Sequence, residues 1–382
     1  MKFTFKIMIC CVMLLSVFTA FGQQRTLAEK AWLSYLDLDG YIKPFWRADT
    51  IHDETVQLIN DNGVTSAGLL FDAKRILSIR DSFLQKEYVE GKDWTYTNGR
   101  IVFNAQSEAP FFFKNELRFK EKKEGLSMEG KEPDTYILFT ENGLFQSKQL
   151  AVTYVKKSTA KWQGPVPEFS KNVLPNTIAK LKGKNKFKVV FYGNSIEAGA
   201  NSSGMINKPP YVPSWAEMLS YGLKRTYGDR ILYLNKSVGG MLAKWGMENA
   251  KERVAVENPD LVIIGFGMND GTFKIAPKEF IEQIKSIMET VRAENSNCEF
   301  IVISTMLANP YAIQNQIQEA YEPEILALKN KGVAVADMTA VHKELLKHKT
   351  YQDMTGNNVN HPNDYLARWY AQVLLTMLSK RN

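Results

Sequence analysis

The sequence predicts a three-layer α/β/α domain preceded by a smaller β-sandwich domain. Two observations carry this expectation. From Phe187 onward, short runs rich in Val and Ile alternate with longer segments of helical period. That is the pattern of a parallel sheet covered by helices on both faces. Before Lys161 the chain reads as short strands punctuated by turn signals, as in a β-sandwich. The predicted boundaries are 1–22 for an N-terminal leader, 23–165 for the β-sandwich accessory domain and 166–382 for the α/β domain.

The leader is read from its charge and hydropathy. Lys2 and Lys6 give a basic start, Ile7–Ala20 is almost wholly apolar, and small residues follow at Ala20 and Gly22. This is the layout of a secretory signal peptide, and the apolar run is short for a membrane span. An uncleaved anchor is the alternative. The expectation is an exported protein, periplasmic or extracellular, with no membrane span in the mature chain. Of the three cysteines only Cys298 lies outside the leader, so no internal disulfide is expected. Without Lys2 and Lys6, 46 basic residues face 41 acidic ones, a mild excess of about +5. The one dense basic run, Lys180–Lys188, reads as a solvated turn before a strand. A nucleic-acid partner would need a broad basic face with interleaved aromatics, and none is predicted.

Within the β-rich region, Arg75–Arg80 alternates, and Tyr88–Phe103 reads as a hairpin, with Asn98-Gly99 a strong type I′ turn signal. Phe111-Phe112-Phe113, Tyr136–Thr140 and Leu150–Val155 supply further short strands. The only histidine here is His52, and no nucleophile–base pair is visible. Gln163–Pro175, with Pro165, Pro167 and Pro175, reads as a linker.

In the α/β domain, strands are predicted at Phe187–Tyr192, Ile231–Leu234, Leu261–Gly265, Phe300–Thr305 and Val333–Asp337. Helices are predicted at Ser214–Tyr227, Met241–Asn258, Pro277–Glu294, Gln314–Lys331 and Asp364–Lys380. The first strand stops at Gly193-Asn194-Ser195, which puts a serine on a tight turn at the carboxyl end of the sheet, where open α/β folds bind ligands.

A serine hydroxyl is a weak nucleophile until a base takes its proton. The chain has four histidines. His342 and His348 sit among lysines and read as a solvated helix end. His361, in Asn-Val-Asn-His-Pro-Asn-Asp before the last helix, lies on a polar loop able to reach the serine. Gly239-Gly240 follows the second strand and Asn269 follows the third. The backbone N–H groups of Ser195 and Gly240 and the side-chain amide of Asn269 are therefore the predicted oxyanion donors. A zinc site would need clustered His and Cys ligands, so neither metal nor cofactor is predicted.

Gly193-Asn194-Ser195, Asn235 with Gly240, Gly267-x-Asn269 and His361-Pro362 resemble the four sequence blocks of the SGNH (GDSL-like) hydrolases, over about Phe187–Leu378. The β-rich region resembles the accessory domain of some secreted bacterial carbohydrate esterases of this kind. The resemblance implies a flavodoxin-like sandwich, ester hydrolysis, Ser195 as nucleophile, Gly240 and Asn269 as oxyanion donors, and His361 as base. Two positions depart from the family pattern. Asn194 stands where aspartate is usual. Asn358 stands at the acid position three residues before the histidine, and an amide carries no charge to stabilise an imidazolium. Asp353, Asp364, a backbone carbonyl or Asn358 itself are the candidates to orient the ring.

The functional expectation is a serine esterase that removes short acyl groups, acetyl above all, from polysaccharide or oligosaccharide. The small polar run Ala198–Gly204 after the serine favours a short acyl group. Acetylated glycan is the predicted partner, and the oligomeric state is left open. The alternatives are a lipase or thioesterase of the same family, or a carbohydrate-binding protein with an impaired site.

Overall fold

The computed structural model describes residues 31–380, so the predicted leader lies outside the described residues. Five parallel strands form the central sheet: β1 (Phe187–Gly193), β2 (Ile231–Asn235), β3 (Leu261–Gly265), β4 (Glu299–Ser304) and β5 (Val333–Asp337). Their spatial order is 2-1-3-4-5, the order of flavodoxin-like folds, whose switch point lies between β1 and β3. Alternate strand residues point to opposite faces. Val190, Tyr192, Val262, Ile264, Phe300 and Val302 pack under α2 (Ala243–Arg253) and α3 (Pro277–Glu294). Val189, Phe191, Leu261, Ile263, Ile301 and Ile303 pack on the other face with α1 (Trp215–Tyr227), α4 (Met338–Leu345) and α5 (Asp364–Leu378). A sheet buried on both faces explains why its strands carry continuous apolar runs.

The expected helix at Gln314–Lys331 is mostly absent. A 3₁₀ turn at Gln318–Tyr321 leads into a short helix, Glu322–Leu326, with Pro323 in its first turn. Proline lacks an N–H and clashes with the preceding turn, so a helix can begin at Pro323 but cannot run through it. The α2 helix is shorter than predicted and ends in a 3₁₀ turn capped by Asn258 in the left-handed region (φ 49°). A further helix, Pro175–Lys182, begins at the last residue of the expected linker.

His342 corrects the reading of a solvated helix end. It lies on the inner face of α4 with no exposed surface, and its Nδ1 accepts from the Leu307 amide at 3.0 Å. Burial disfavours the charged ring and lowers its pKa to about 3. The flanking lysines, which suggested solvent, mark only the outer face of the helix.

The N-terminal region adds an extra sheet domain. Its central strand Gln149–Lys156 pairs antiparallel with Thr50–Gln57 and with Ala73–Asp81. A five-stranded sheet includes the expected hairpin, in which Thr97 faces Arg100. Asn98 and Gly99 both have positive φ, 50° and 75°, as a type I′ turn requires. A third sheet is formed by Arg118–Phe119, Tyr136–Leu138 and Ser127–Glu129.

The two units share a core. Phe45 stacks on Trp369 of α5 with centroids 5.1 Å apart, and the Arg368 guanidinium lies 3.9 Å from the Tyr41 ring centroid. Lys349 and Glu54 form an ion pair at 2.6 Å with both side chains fully buried.

Candidate active site

The turn after β1 is built by steric fit. A Cβ at Gly193 would collide with the Gly265 carbonyl of the neighbouring β3, so only glycine lets the two strands end this close. Asn194 caps the following turn: its Oδ1 accepts from Ile196 N at 3.0 Å, and its own N–H donates to Glu197 Oε2 at 3.1 Å. Here Asn194 does the capping work that an aspartate could do equally well. Glu197 is buried against Gly193 and Gly265. Its burial, only partly offset by backbone hydrogen bonds, raises its pKa to about 8. The result is that Ser195 heads a one-turn helix, Ser195–Ala198, at the carboxyl edge of the sheet.

The structure brings Ser195 and His361 together: Oγ and Nε2 are 2.9 Å apart. The histidine loop is organised by Asn357, whose Oδ1 accepts from the amides of Val359, Asn360 and His361 at 2.9–3.1 Å.

The predicted oxyanion residues meet at the same edge. A Cβ on Gly239 would lie 3.8 Å from the Ser195 Cβ, and Gly240 has φ 80°. Val238 N donates to the Gly193 carbonyl at 3.0 Å, so the loop after β2 runs alongside the serine turn. Asn235 ties the two loops by donating to the Glu197 carbonyl at 2.7 Å. Asn269 follows β3, and its Nδ2 donates to the Met241 carbonyl at 3.0 Å; a second amide hydrogen is left for another acceptor. Asp270 braces both loops, accepting from Ala243 N at 2.8 Å and Gly267 N at 2.9 Å. Its pKa is raised to about 6, because burial outweighs those two bonds.

None of the three residues considered for orienting the histidine touches the ring. Asp353 accepts from Gln57 N at 2.6 Å and caps Thr350. Asp364 accepts from Ser203 N at 2.7 Å, and burial raises its pKa to about 7. The cap of the last helix is Asn363 rather than Asp364. Asn358 adopts a left-handed φ of 66°; its amide donates to the Leu138 carbonyl at 2.9 Å and accepts from Gln352 and Asn309. The backbone carbonyl considered for the same place is not used either. Instead, His361 Nδ1 meets Asn201 Oδ1 at 2.6 Å and Glu141 Oε2 at 3.4 Å. Sequence reading missed both. Asn201 lay in the run read only for its small polar character, and Glu141 comes from the β-rich region, in which no chemistry was expected.

A serine hydroxyl and an imidazole at hydrogen-bond distance, at a sheet edge where the loop after β2 runs alongside the serine turn, define a serine-hydrolase arrangement. Residues 191–368 match the family model of the GDSL-like lipase/acylhydrolase family. Similar solved structures include a two-domain esterase active on acetylated mannans, at 18% identity and TM-score 0.43, covering 55% of this chain and 53% of that one. Another is an acetylxylan esterase from Geobacillus stearothermophilus, at 17% identity and TM-score 0.40, covering 51% and 94%. A third is a putative lipolytic protein of the G-D-S-L family from Desulfitobacterium hafniense, at 23% identity and TM-score 0.37, covering 50% and 99%. The chain spans about half the length of the two-domain esterase. No curated protein matches it. Among the described residues there is no group of three or more potential metal ligands, and no helix is long and apolar enough to cross a membrane.

Proposed function

We propose that the protein is an exported serine esterase that removes short acyl groups, chiefly acetyl, from polysaccharide or oligosaccharide. The observation that carries the reaction type is the 2.9 Å approach of Ser195 Oγ to His361 Nε2 at the carboxyl edge of the sheet. His361 takes the serine proton as Oγ attacks the ester carbonyl. The oxyanion that forms is met by the Ser195 and Gly240 N–H groups and the Asn269 amide. Collapse of the tetrahedral intermediate breaks the ester C–O bond, and the sugar hydroxyl leaves with the proton from His361. Water, deprotonated by the same ring, then attacks the acyl-enzyme, and acetate leaves as Oγ is reprotonated.

The acyl and glycan parts of this reading rest on the surroundings of the serine. Ala198, Gly199 and Ala200 offer little apolar surface to a long acyl chain. Asn201, Ser202 and Ser203 follow them, polar and buried, with side chains bonded to His361, the Gly199 carbonyl and the Val212 amide. The leader-like N-terminus supports export. Acetate release from acetylated xylan, mannan and pectin, set beside hydrolysis of short- and long-chain nitrophenyl esters, tests it. Preference for long acyl chains would replace it with a lipase reading. Failure of a fluorophosphonate probe to label Ser195 would favour a non-catalytic carbohydrate-binding role.

A further inference from the structure

We infer that Glu141, contributed by the N-terminal sheet domain, and Asn201 act together as the positioning pair for His361, in place of the acid missing at position 358. The inference rests on the proposed role of His361 as base.

The geometry assigns each group a distinct part. A base histidine must present a bare Nε2 to the serine hydroxyl, so its proton must sit on Nδ1. Asn201 Oδ1, 2.6 Å from Nδ1, is an acceptor for that proton. With Oδ1 on the ring, the other end of the same amide is its NH2 group, and a hydrogen bond from Asn201 is among the causes that lower the Glu141 pKa. A carboxylate only accepts, so Nδ2 must face it and Oδ1 must face the ring. Glu141 supplies the charge that the amide lacks. Its Oε2 lies 3.4 Å from Nδ1, and its Oε1 accepts from Asn357 Nδ2 at 3.0 Å.

The partial loss of water around Glu141, whose side chain stays 44% exposed, would by itself raise its pKa. The His361 charge and hydrogen bonds from His361, Asn357 and Asn201 outweigh it and hold the carboxylate at about 2. With its Oε2 3.4 Å from Nδ1, the carboxylate is placed beside the positive charge that the ring takes on as Ser195 attacks.

The residue at the vacated acid position serves this arrangement indirectly. Asn358 donates to the Leu138 carbonyl, three residues before Glu141. It thereby ties the histidine loop to the chain segment that carries the carboxylate. The contacts span 160 residues for Asn201 and 220 for Glu141, so the site is complete only when both sheet domains are in place. The nearest other carboxyl in sequence, Asp364, is turned to Ser203 N and does not compete.

The test uses the full chain and nitrophenyl acetate. Glu141→Gln should lower kcat about 10- to 100-fold with little change in KM. That is less than the roughly 10⁴-fold loss when a fully buried triad carboxylate is neutralised, because 44% of the Glu141 side chain is exposed and water screens its charge. The acidic limb of the kcat/KM–pH profile should also move to lower pH, since the ring then loses its proton more easily. Glu141→Asp should leave the limb nearer its original place. In the Glu141→Gln background, Asn201→Asp returns a carboxylate to the ring and should recover much of the lost kcat.

A Glu141→Gln variant within twofold of wild type, or one whose loss leaves the limb unmoved and is matched by Glu141→Asp, overturns the inference while the esterase reading stands. A wild-type chain that neither cleaves the ester nor labels at Ser195 overturns both. Where Glu141→Gln fails to fold, Asn201→Ala decides the matter: it removes the 2.6 Å acceptor for the Nδ1 proton and should lower kcat about 100-fold with little change in KM; a kcat within twofold of wild type, or a loss carried by KM alone, overturns the inference.

Discussion

Lys349 and Glu54 lie 2.6 Å apart with no exposed side-chain surface on either, although 295 residues separate them. Glu54 also accepts from the Leu70 amide and the Tyr154 hydroxyl. Lys349 also donates to the Thr55 carbonyl. Removing either member strands a charge in the shared core. Glu54→Ala or Lys349→Ala should each destabilise the chain by about 3–5 kcal/mol, read as a fall in the denaturant midpoint. Replacing both by methionine should cost less than either single change. A double variant less stable than both singles would contradict this account.

Ser195→Ala should abolish hydrolysis of a small acetyl ester. Its melting temperature should stay close to wild type, because the side chain is half-buried at the surface edge of the sheet. Retention of more than about a few per cent of kcat, against the roughly 10⁶-fold loss seen when such a nucleophile is removed, would discard Ser195 as the nucleophile.

Asn269→Ala should lower kcat by about 100-fold or more with a smaller change in KM, because an oxyanion donor acts mainly on the transition state. The same substitution loses the bond to the Met241 carbonyl. A rise in KM with kcat unchanged would make Asn269 a substrate-binding residue instead.

Glu197→Gln should change how stability depends on pH. The folded-state pKa of Glu197 is raised to about 8 from an ordinary 4.5. The folded chain therefore holds a proton that the unfolded chain releases between these values. The stability this provides is fully present below about pH 4.5 and is lost as pH rises towards 8, at no more than about 1.4 kcal/mol per pH unit. Glutamine resembles the protonated form and does not titrate. The variant should match wild type near pH 5 and exceed it near pH 9 in denaturant midpoint. Parallel curves over this range would show that Glu197 is ionised in the fold.

The parts of this molecule that sequence reveals are those whose cause is local. Leu261–Gly265 and Val333–Asp337 are continuous apolar runs because both sheet faces are covered, and both are found where predicted. The Asn98-Gly99 turn is legible because few other residue pairs accept two positive φ angles. The turn at Ser195 and the loop at His361 are legible because glycine and proline punctuate them. The rest is tertiary. Pro323 breaks a helix that period alone would continue. His342 is buried by packing that its lysine neighbours conceal. Glu141 sits in an ordinary Glu-Asn-Gly turn, and nothing in its own segment marks it. Only the folding of one sheet domain against the other brings it to the ring.

The hold of Asn357 on its own loop has a consequence for small substrates. One carbonyl oxygen gathers three successive amides, and the nitrogen of the same side chain reaches the Glu141 carboxylate. The histidine is thus in position before anything binds. An acetyl group has only a few atoms with which to grip a protein, and little of its contact energy is available to freeze a mobile loop. A pre-set loop removes that demand, so the reacting geometry can be reached by a ligand too small to have induced it.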